Sequence, residues 1–207
     1  LFGPVASIIP CADEADGSAN EDDDARIAVL NEYGIQPGVA DAALDSVARA
    51  ASRVLGVPLA AVVLIDRNTQ YWPGVYGWHG ERIQPRDVAI CGYTILSEGV
   101  LEIGDTLRDA RVCDNPTVLG GPKIRFYAGA PLITPEGYRL GTVCGLDMQP
   151  RELAPWQRAA LQDLAGTVID LLEGYRQQHR RFSEGQQADR FLALGQLSAG
   201  MAHEINN

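Results

Sequence analysis

Long apolar runs are missing from this chain: no stretch approaches the ~20 consecutive apolar residues of a membrane-spanning helix. The opening LFGPVASIIPCA lacks a basic start and contains two prolines, so it makes a poor secretory signal. Cysteine is scarce. The four thiols, Cys11, Cys91, Cys113 and Cys144, lie too far apart for a CxxC metal or redox motif, and their pattern suits a reducing, cytoplasmic compartment. The three histidines share no metal-ligand spacing with one another or with cysteine, so no metal site is expected. Basic residues are absent from residues 1–24, which hold seven of the 27 acids. Outside that segment the chain is close to neutral despite a net charge of -10, so no basic surface for nucleic acid is expected. The acidic segment reads as a solvated tail or linker. The first residue is Leu rather than Met, as in a piece of a longer gene product.

What is present is an ordinary globular composition, 46% hydrophobic and 21% charged, enough for a core without covalent staples. DARIAVLNEYGI places Ile27, Leu30 and Tyr33 on one helical face, with Asp22 to Asp24 before it and Gly34 ending it. ADAALDSVARAASRVLG repeats apolar residues at helical spacing and stops at Gly56 and Pro58. LAAVVLID is a continuous β-branched run, the pattern of a central strand, and YWPGVYG is its partner, which Pro73 pushes towards an edge. VAICGYTILSE predicts a short helix, VLEIGD a brief strand, and TLRDARVCDNPTVLGGP a long loop of the kind that carries function. IRFYAGAPLIT and YRLGTVCGLDM form a hairpin about Pro135, Glu136 and Gly137. Helices segregated beside an antiparallel sheet define an α+β domain.

From Pro155 onwards there is no strong helix breaker. Leu161, Leu164, Val168, Leu171, Tyr175 and Phe182 follow a three-four apolar repeat, as in a paired, coiled-coil-like helix. Phe191, Leu194, Met201 and Ile205 follow a second repeat in a different register, and the mismatch falls on SEGQQAD at Gly185. Such a break is either a place where rotation is passed along a helix or a joint between two domains.

The last fourteen residues, LGQLSAGMAHEINN, resemble the phosphoacceptor box of sensor histidine kinases, in which a helical His-Glu pair begins the dimerisation and phosphotransfer domain. The resemblance implies that His203 is phosphorylated from ATP and passes the group to the receiver domain of a response regulator. Imidazole is a nucleophile near neutral pH, and Glu204 is placed to orient it or accept its proton. Asn207 sits where a polar residue of that family helps to position water for dephosphorylation. No P-loop or glycine-rich ATP lid is present. ATP with Mg is therefore expected on a further C-terminal domain, and the stretch in hand is expected to be inactive alone.

NEYGI, GVPLAAVVLIDRNTQYW, PRDVAICGYTIL, DNP, IRFYAGAPLITPEGYRLGTVCGLD and PREL are similar to the GAF family of small-molecule sensing modules. That resemblance implies a GAF-like, PAS-related antiparallel sheet, a ligand pocket on the short-helix and long-loop side, and terminal helices that form a homodimer on the other face. The division expected is an acidic tail at 1–24, a GAF sensory domain at 25–172, a signalling helix at 173–190 and the start of a phosphoacceptor helix at 191–207. Cys91, Tyr93, Asp109, Asp114, Asn115, Arg125, Tyr127 and Cys144 come from segments that would line the pocket. For Cys91 and Cys144 the alternatives are small buried hydrophobes, or a thiol redox sensor or enzyme using either one. Asp109, Asp114 and Asn115 also suit loop caps. Arg125 either meets an anionic ligand or pairs with the loop acids, and it shares a strand face with Tyr127, opposite Phe126. ICGY lacks the histidine that follows the cysteine of bilin-binding relatives, and the family's cyclic-nucleotide signature is absent, as are the motifs of the methionine sulfoxide reductases that share the fold. His79, His179, Trp72 and Trp78 read as surface or packing residues.

Overall fold

Asp41 begins the second helix: its carboxylate accepts hydrogen bonds from the free amides of Ala43 and Leu44, both at 2.9 Å. The helix it caps, α2 (Ala42–Leu55), ends at Gly56, which adopts the left-handed conformation (φ 68°) that glycine takes without strain. In the computed structural model, which describes the backbone of residues 17–205 and the side chains of residues 23–185, α2 follows α1 (Gly17–Glu32) and precedes two strands, β1 (Leu59–Ile65) and β2 (Thr69–Tyr76). Then come β3 (Ile83–Pro85), α3 (Cys91–Thr94), β4 (Leu101–Ile103), α4 (Pro116–Leu119), β5 (Phe126–Ile133), β6 (Arg139–Asp147) and α5 (Pro155–Ile205). The six strands form one sheet in the order β3-β2-β1-β6-β5-β4, with every neighbouring pair antiparallel. This is the expected GAF-like α+β architecture.

β1 is a continuous apolar run because it lies inside the sheet and is covered on both faces. Its alternate residues divide two cores. Ala60, Val62 and Leu64 pack with α1, α2 and α5, whereas Ala61, Val63 and Ile65 pack with α3, α4 and the loops around them. On β5, Phe126 faces the first core and Tyr127 the second. Pro73 does not sit on an outer strand, since β3 pairs with β2 at Thr69 to Tyr71. It falls instead in a bulge, where the β1–β2 register shifts between Val62 and Leu64, a position that needs no ladder amide. Beside it, Gly74 lets α2 approach the sheet: a Cβ there would lie 2.4 Å from the carbonyl of Leu44.

Three expectations are corrected. The first helix reaches back to Gly17, so Asp23 and Asp24 are not a solvated tail. Asp23 binds Arg26 (2.8 Å) and Arg86 (2.9 Å), and Asp24 pairs with Arg67. The long loop after β4 is broken by a 3-10 turn at Thr106–Arg108 and by α4, which is capped by Asn115. Finally, the apolar stripe of α5 is used within the chain from Leu161 to Tyr175, whereas Phe182 of the same repeat is exposed. Leu161, Ala165, Val168 and Leu172 are buried in the first core, and Leu164, Leu171 and Tyr175 lean on its margin. Arg176 is the last buried residue of the helix whose side chain is described, and 177–185 are exposed. The α5 backbone passes Gly185 without interruption. Cys11 and Asn207 lie outside the described residues, as do the side chains of His203 and Glu204.

Candidate functional site

The second core is incompletely filled. Between β1, β2, β5 and β6 on one side and α3 and α4 on the other lies a cavity of about 80 Å³, lined by Ala61, Val63, Trp72, Ile90, Cys91, Tyr127 and Cys144 among others. Periodicity places these groups: strand alternation sends Gln70 and Trp72 to this face and Tyr71 to the other. Trp72 and Trp78 meet edge to face with centroids 5.2 Å apart and form one wall. Two polar atoms of this wall are buried and unpartnered, the Trp72 indole nitrogen and the Gln70 Oε1. The first can only donate and the second can only accept. The Gln70 amide nitrogen donates to Gln84 at 3.3 Å.

The floor is a chain of small polar groups. The hydroxyls of Thr94 and Tyr127 share a hydrogen bond of 2.6 Å, and the thiols of Cys91 and Cys144 are 4.0 Å apart. Burial, followed by the nearby thiols, pushes the Tyr127 phenol far above its ordinary range, so it stays protonated. Among the described residues no Asp, Glu, Lys, Arg or His lines the cavity. An anionic group placed there would be desolvated without a counter-charge, a cost of several kcal/mol, so the chemistry favours an uncharged, partly aromatic guest with one acceptor and one donor. At about 80 Å³ the space is well below the roughly 300–1,000 Å³ of drug-sized ligand pockets.

Of the residues expected from sequence to line this pocket, the fold brings Cys91, Tyr127 and Cys144 together in its wall and leaves five outside. Tyr93 donates to the carbonyl of Arg111 (2.9 Å) and ties α3 to the loop. Asp109 turns that loop by accepting from the Arg111 amide (3.0 Å) and pairing with its guanidinium (2.5 Å). Asp114 is exposed. Asn115 is fully buried but committed: it accepts from the Thr117 amide (2.8 Å) and donates to the carbonyl of Val88 (3.1 Å). Arg125 lies one residue before β5 and grips both carboxylate oxygens of Asp105 at 2.9 and 3.0 Å. It is the ion-pair partner of a loop acid rather than a ligand for an anion. Sequence reasoning missed Gln70, Trp72, Tyr76, Trp78 and Gln84. The alternation of Gln70 and Trp72 about Tyr71 was the available signal.

On the opposite face, a groove of about 420 Å³ lies between the α1–α2 link and α5, lined by Tyr33, Val39, Asp41, Tyr175, His179 and Phe182. The His179 ring closes over Gly34. Arg176 locks this corner through Glu32 (2.8 Å), Glu136 (2.7 Å) and Glu173 (3.5 Å), with its guanidinium carbon 5.4 Å from the Tyr33 ring centroid. The Tyr33 hydroxyl donates to Glu173 at 2.5 Å. Among the described residues no cluster of His, Cys, Asp or Glu could hold a metal, and no helix is long and apolar enough to cross a membrane.

A small cavity on one face of an antiparallel sheet, with the terminal helices gathered on the other, is the architecture of a sensory module. The chain belongs to the GAF domain family, whose model matches residues 40–173. It is 38% identical over 150 residues to the cyclic di-GMP phosphodiesterase PA2567 of Pseudomonas aeruginosa; the match covers 72% of this chain and 25% of that protein's length. In fold it is similar to the blue-light absorbing form of the PixJ GAF domain of Thermosynechococcus elongatus, with a TM-score of 0.54, 15% identity, and 82% and 96% of the two chains covered. It is similar also to the free methionine-R-sulfoxide reductase of Neisseria meningitidis, with a TM-score of 0.54, 16% identity, and 79% and 94% covered.

Proposed function

We propose that this chain is the sensory and phosphoacceptor portion of a cytoplasmic two-component sensor histidine kinase. The observation that carries the reading is the course of α5. One helix runs from residues packed under the sensory sheet, Leu161 to Arg176, to Ile205, and so includes His203 of LGQLSAGMAHEINN. In this reading the state of the cavity sets the packing of the terminal helices in a homodimer. That packing sets the approach of His203 to ATP and Mg carried on a domain beyond Asn207. The phosphoryl group then passes to the receiver domain of a response regulator. Positioning dominates such transfers, which is why a helix can control one. The exposed Phe182 (65%) and Val39 (57%) at the edge of the α5 groove supply apolar surface for the second copy.

A second reading has support of its own. The 38% identity to a cyclic di-GMP phosphodiesterase is confined to a quarter of that protein, as for a sensory module joined to a different output domain. Here the chain would bind a ligand and dimerise without transferring phosphate.

One experiment separates the two. The gene product extended beyond Asn207 is incubated with labelled ATP and Mg, with and without His203→Gln, and acid-labile phosphate is counted. Label that disappears in the variant supports the kinase reading. A folded dimer that takes no label, or takes it equally in the variant, leaves the ligand-binding module.

A further inference from the structure

The structure points to a redox-modification site in the cavity wall: we infer that Cys91 and Cys144 form a reversible disulfide on exposure to a small peroxide. The two thiols come from different elements, α3 and β6, and their sulfurs are already 4.0 Å apart. A disulfide needs about 2.05 Å, so each sulfur has to move by roughly 1 Å, within reach of side-chain rotation and a small shift of α3. α3 is only four residues long, which makes it the pliable partner; Cys144 is fixed within the central sheet, between β1 and β5. Both residues are buried, yet both line the cavity, so a molecule the size of hydrogen peroxide has a route that a protein thiol does not. Cys113, the third described thiol, is half-buried and not part of the cavity lining.

The environment divides the two roles. The hydrogen bond from Cys144, opposed by burial and helped by Tyr127, lowers the Cys91 thiol from its ordinary value. The same hydrogen bond, with burial, raises Cys144 well above its own. Cys91 is also the more exposed of the two (7% against 1%) and sits on the short α3 rather than inside the sheet, so it is the nucleophile and Cys144 the resolving thiol. The Cys91 thiolate attacks one peroxide oxygen and the O–O bond breaks. The departing hydroxide takes a proton and leaves as water, and Cys91 becomes a sulfenic acid. The Cys144 sulfur then displaces that hydroxyl, forming the S–S bond, and its proton leaves with the hydroxyl as a second water. The peroxide is reduced by two electrons and the dithiol oxidised by two, and a low-molecular-weight thiol returns the pair to its starting state by exchange. The inference does not depend on His203 or on any output domain.

The test uses the intact 207-residue chain. It is treated under native conditions with a small excess of hydrogen peroxide, free thiols are blocked with iodoacetamide, and peptides are mapped by mass before and after dithiothreitol. The expected product is a Cys91–Cys144 cross-linked peptide lacking two hydrogens, with a native circular dichroism spectrum and full reversal by the reductant. Cys91→Ser abolishes the cross-link, and Cys144→Ser leaves a trappable sulfenic acid on Cys91. A cross-link that forms only in urea, one that joins either cysteine to Cys113 instead, or full alkylation of Cys91 and Cys144 after peroxide would each overturn the inference. The wild-type map decides the question even where a serine variant fails to fold.

Discussion

Replacing Arg176 by Met tests whether the place where α5 leaves the domain is held by charge. Methionine keeps the apolar stem and removes the guanidinium. Glu136 then loses its cation at 2.7 Å, whereas Glu32 keeps Arg180 at 2.6 Å. Breaking a buried ion pair costs roughly 3–5 kcal/mol. Here the Arg176 side chain is only 10% exposed, but those of Glu32 and Glu136 are 39% and 43% exposed, so solvent screening reduces the expected cost to about 1–3 kcal/mol. The pH dependence carries a sign. Arg176 holds the Glu136 carboxyl below its ordinary value of 4.5, and Arg180, with Arg176 assisting, does the same for Glu32. Groups with depressed folded values stabilise fully above the unfolded value and lose that contribution as pH falls through the folded one. The gap between wild type and Arg176→Met in urea unfolding is therefore largest near neutrality and narrows below pH 4.5. A gap under about 0.5 kcal/mol at pH 7, of the size expected for a weak surface pair, would refute the argument, as would a gap of equal size in acid.

Two further perturbations probe the walls of the two cores. Gly74→Ala would place a Cβ 2.4 Å from the backbone of Leu44, so α2 has to lift from the sheet. The expected loss is about 3 kcal/mol, read as a lower urea midpoint at unchanged slope, and a near-neutral result would show that α2 has room. Tyr127→Phe and Thr94→Val each strand a buried hydroxyl of the 2.6 Å pair, at about 1–3 kcal/mol apiece. The double variant strands neither, so it falls short of the summed losses by about 1 kcal/mol; strict additivity would mean that the pair contributes nothing.

The strand core was legible because several signals agree. LAAVVLI is short, carries β-branched residues and is bounded by Pro58 and a polar turn, which together favour a buried strand over a buried helix, and Gly137 between β5 and β6 takes the positive φ (93°) that a tight turn asks for. The start of α1 was not legible, because the partner of Asp23 is Arg86, 63 residues away. Pro73 was misplaced for a related reason: a bulge and an edge both excuse a missing amide, and sequence does not separate them. The stripe on α5 was seen but assigned to a second helix. A three-four repeat states that one face is apolar, and it is silent on whether a sheet or a partner covers it. In the pocket, cysteine and tyrosine stand out by their chemistry, whereas the two tryptophans read as packing and Gln70 is marked only by its alternation with Trp72 about Tyr71. Asp109, Asn115 and Arg125, in contrast, are held by backbone amides and neighbouring acids that only the fold brings near.

β5 and β6 are the wall between the two halves of the module. Tyr127 and Cys144 stand on the cavity side, and their neighbours Phe126 and Val143 stand on the side of α5. Those neighbours are fully buried, as are Leu161, Val168 and Leu172 of the helix in the same core. Close-packed interiors shift between discrete arrangements rather than deform by fractions of an ångström. A shift of Tyr127 or Cys144 on the cavity side would be felt first by Phe126 and Val143, their chain neighbours on the other face. Under the proposed function, such a shift would pass to the seat of α5, whose Leu161, Val168 and Leu172 share their core. The helix that leaves this seat at Arg176 reaches Ile205, and a small rotation at the seat turns the whole face presented along it.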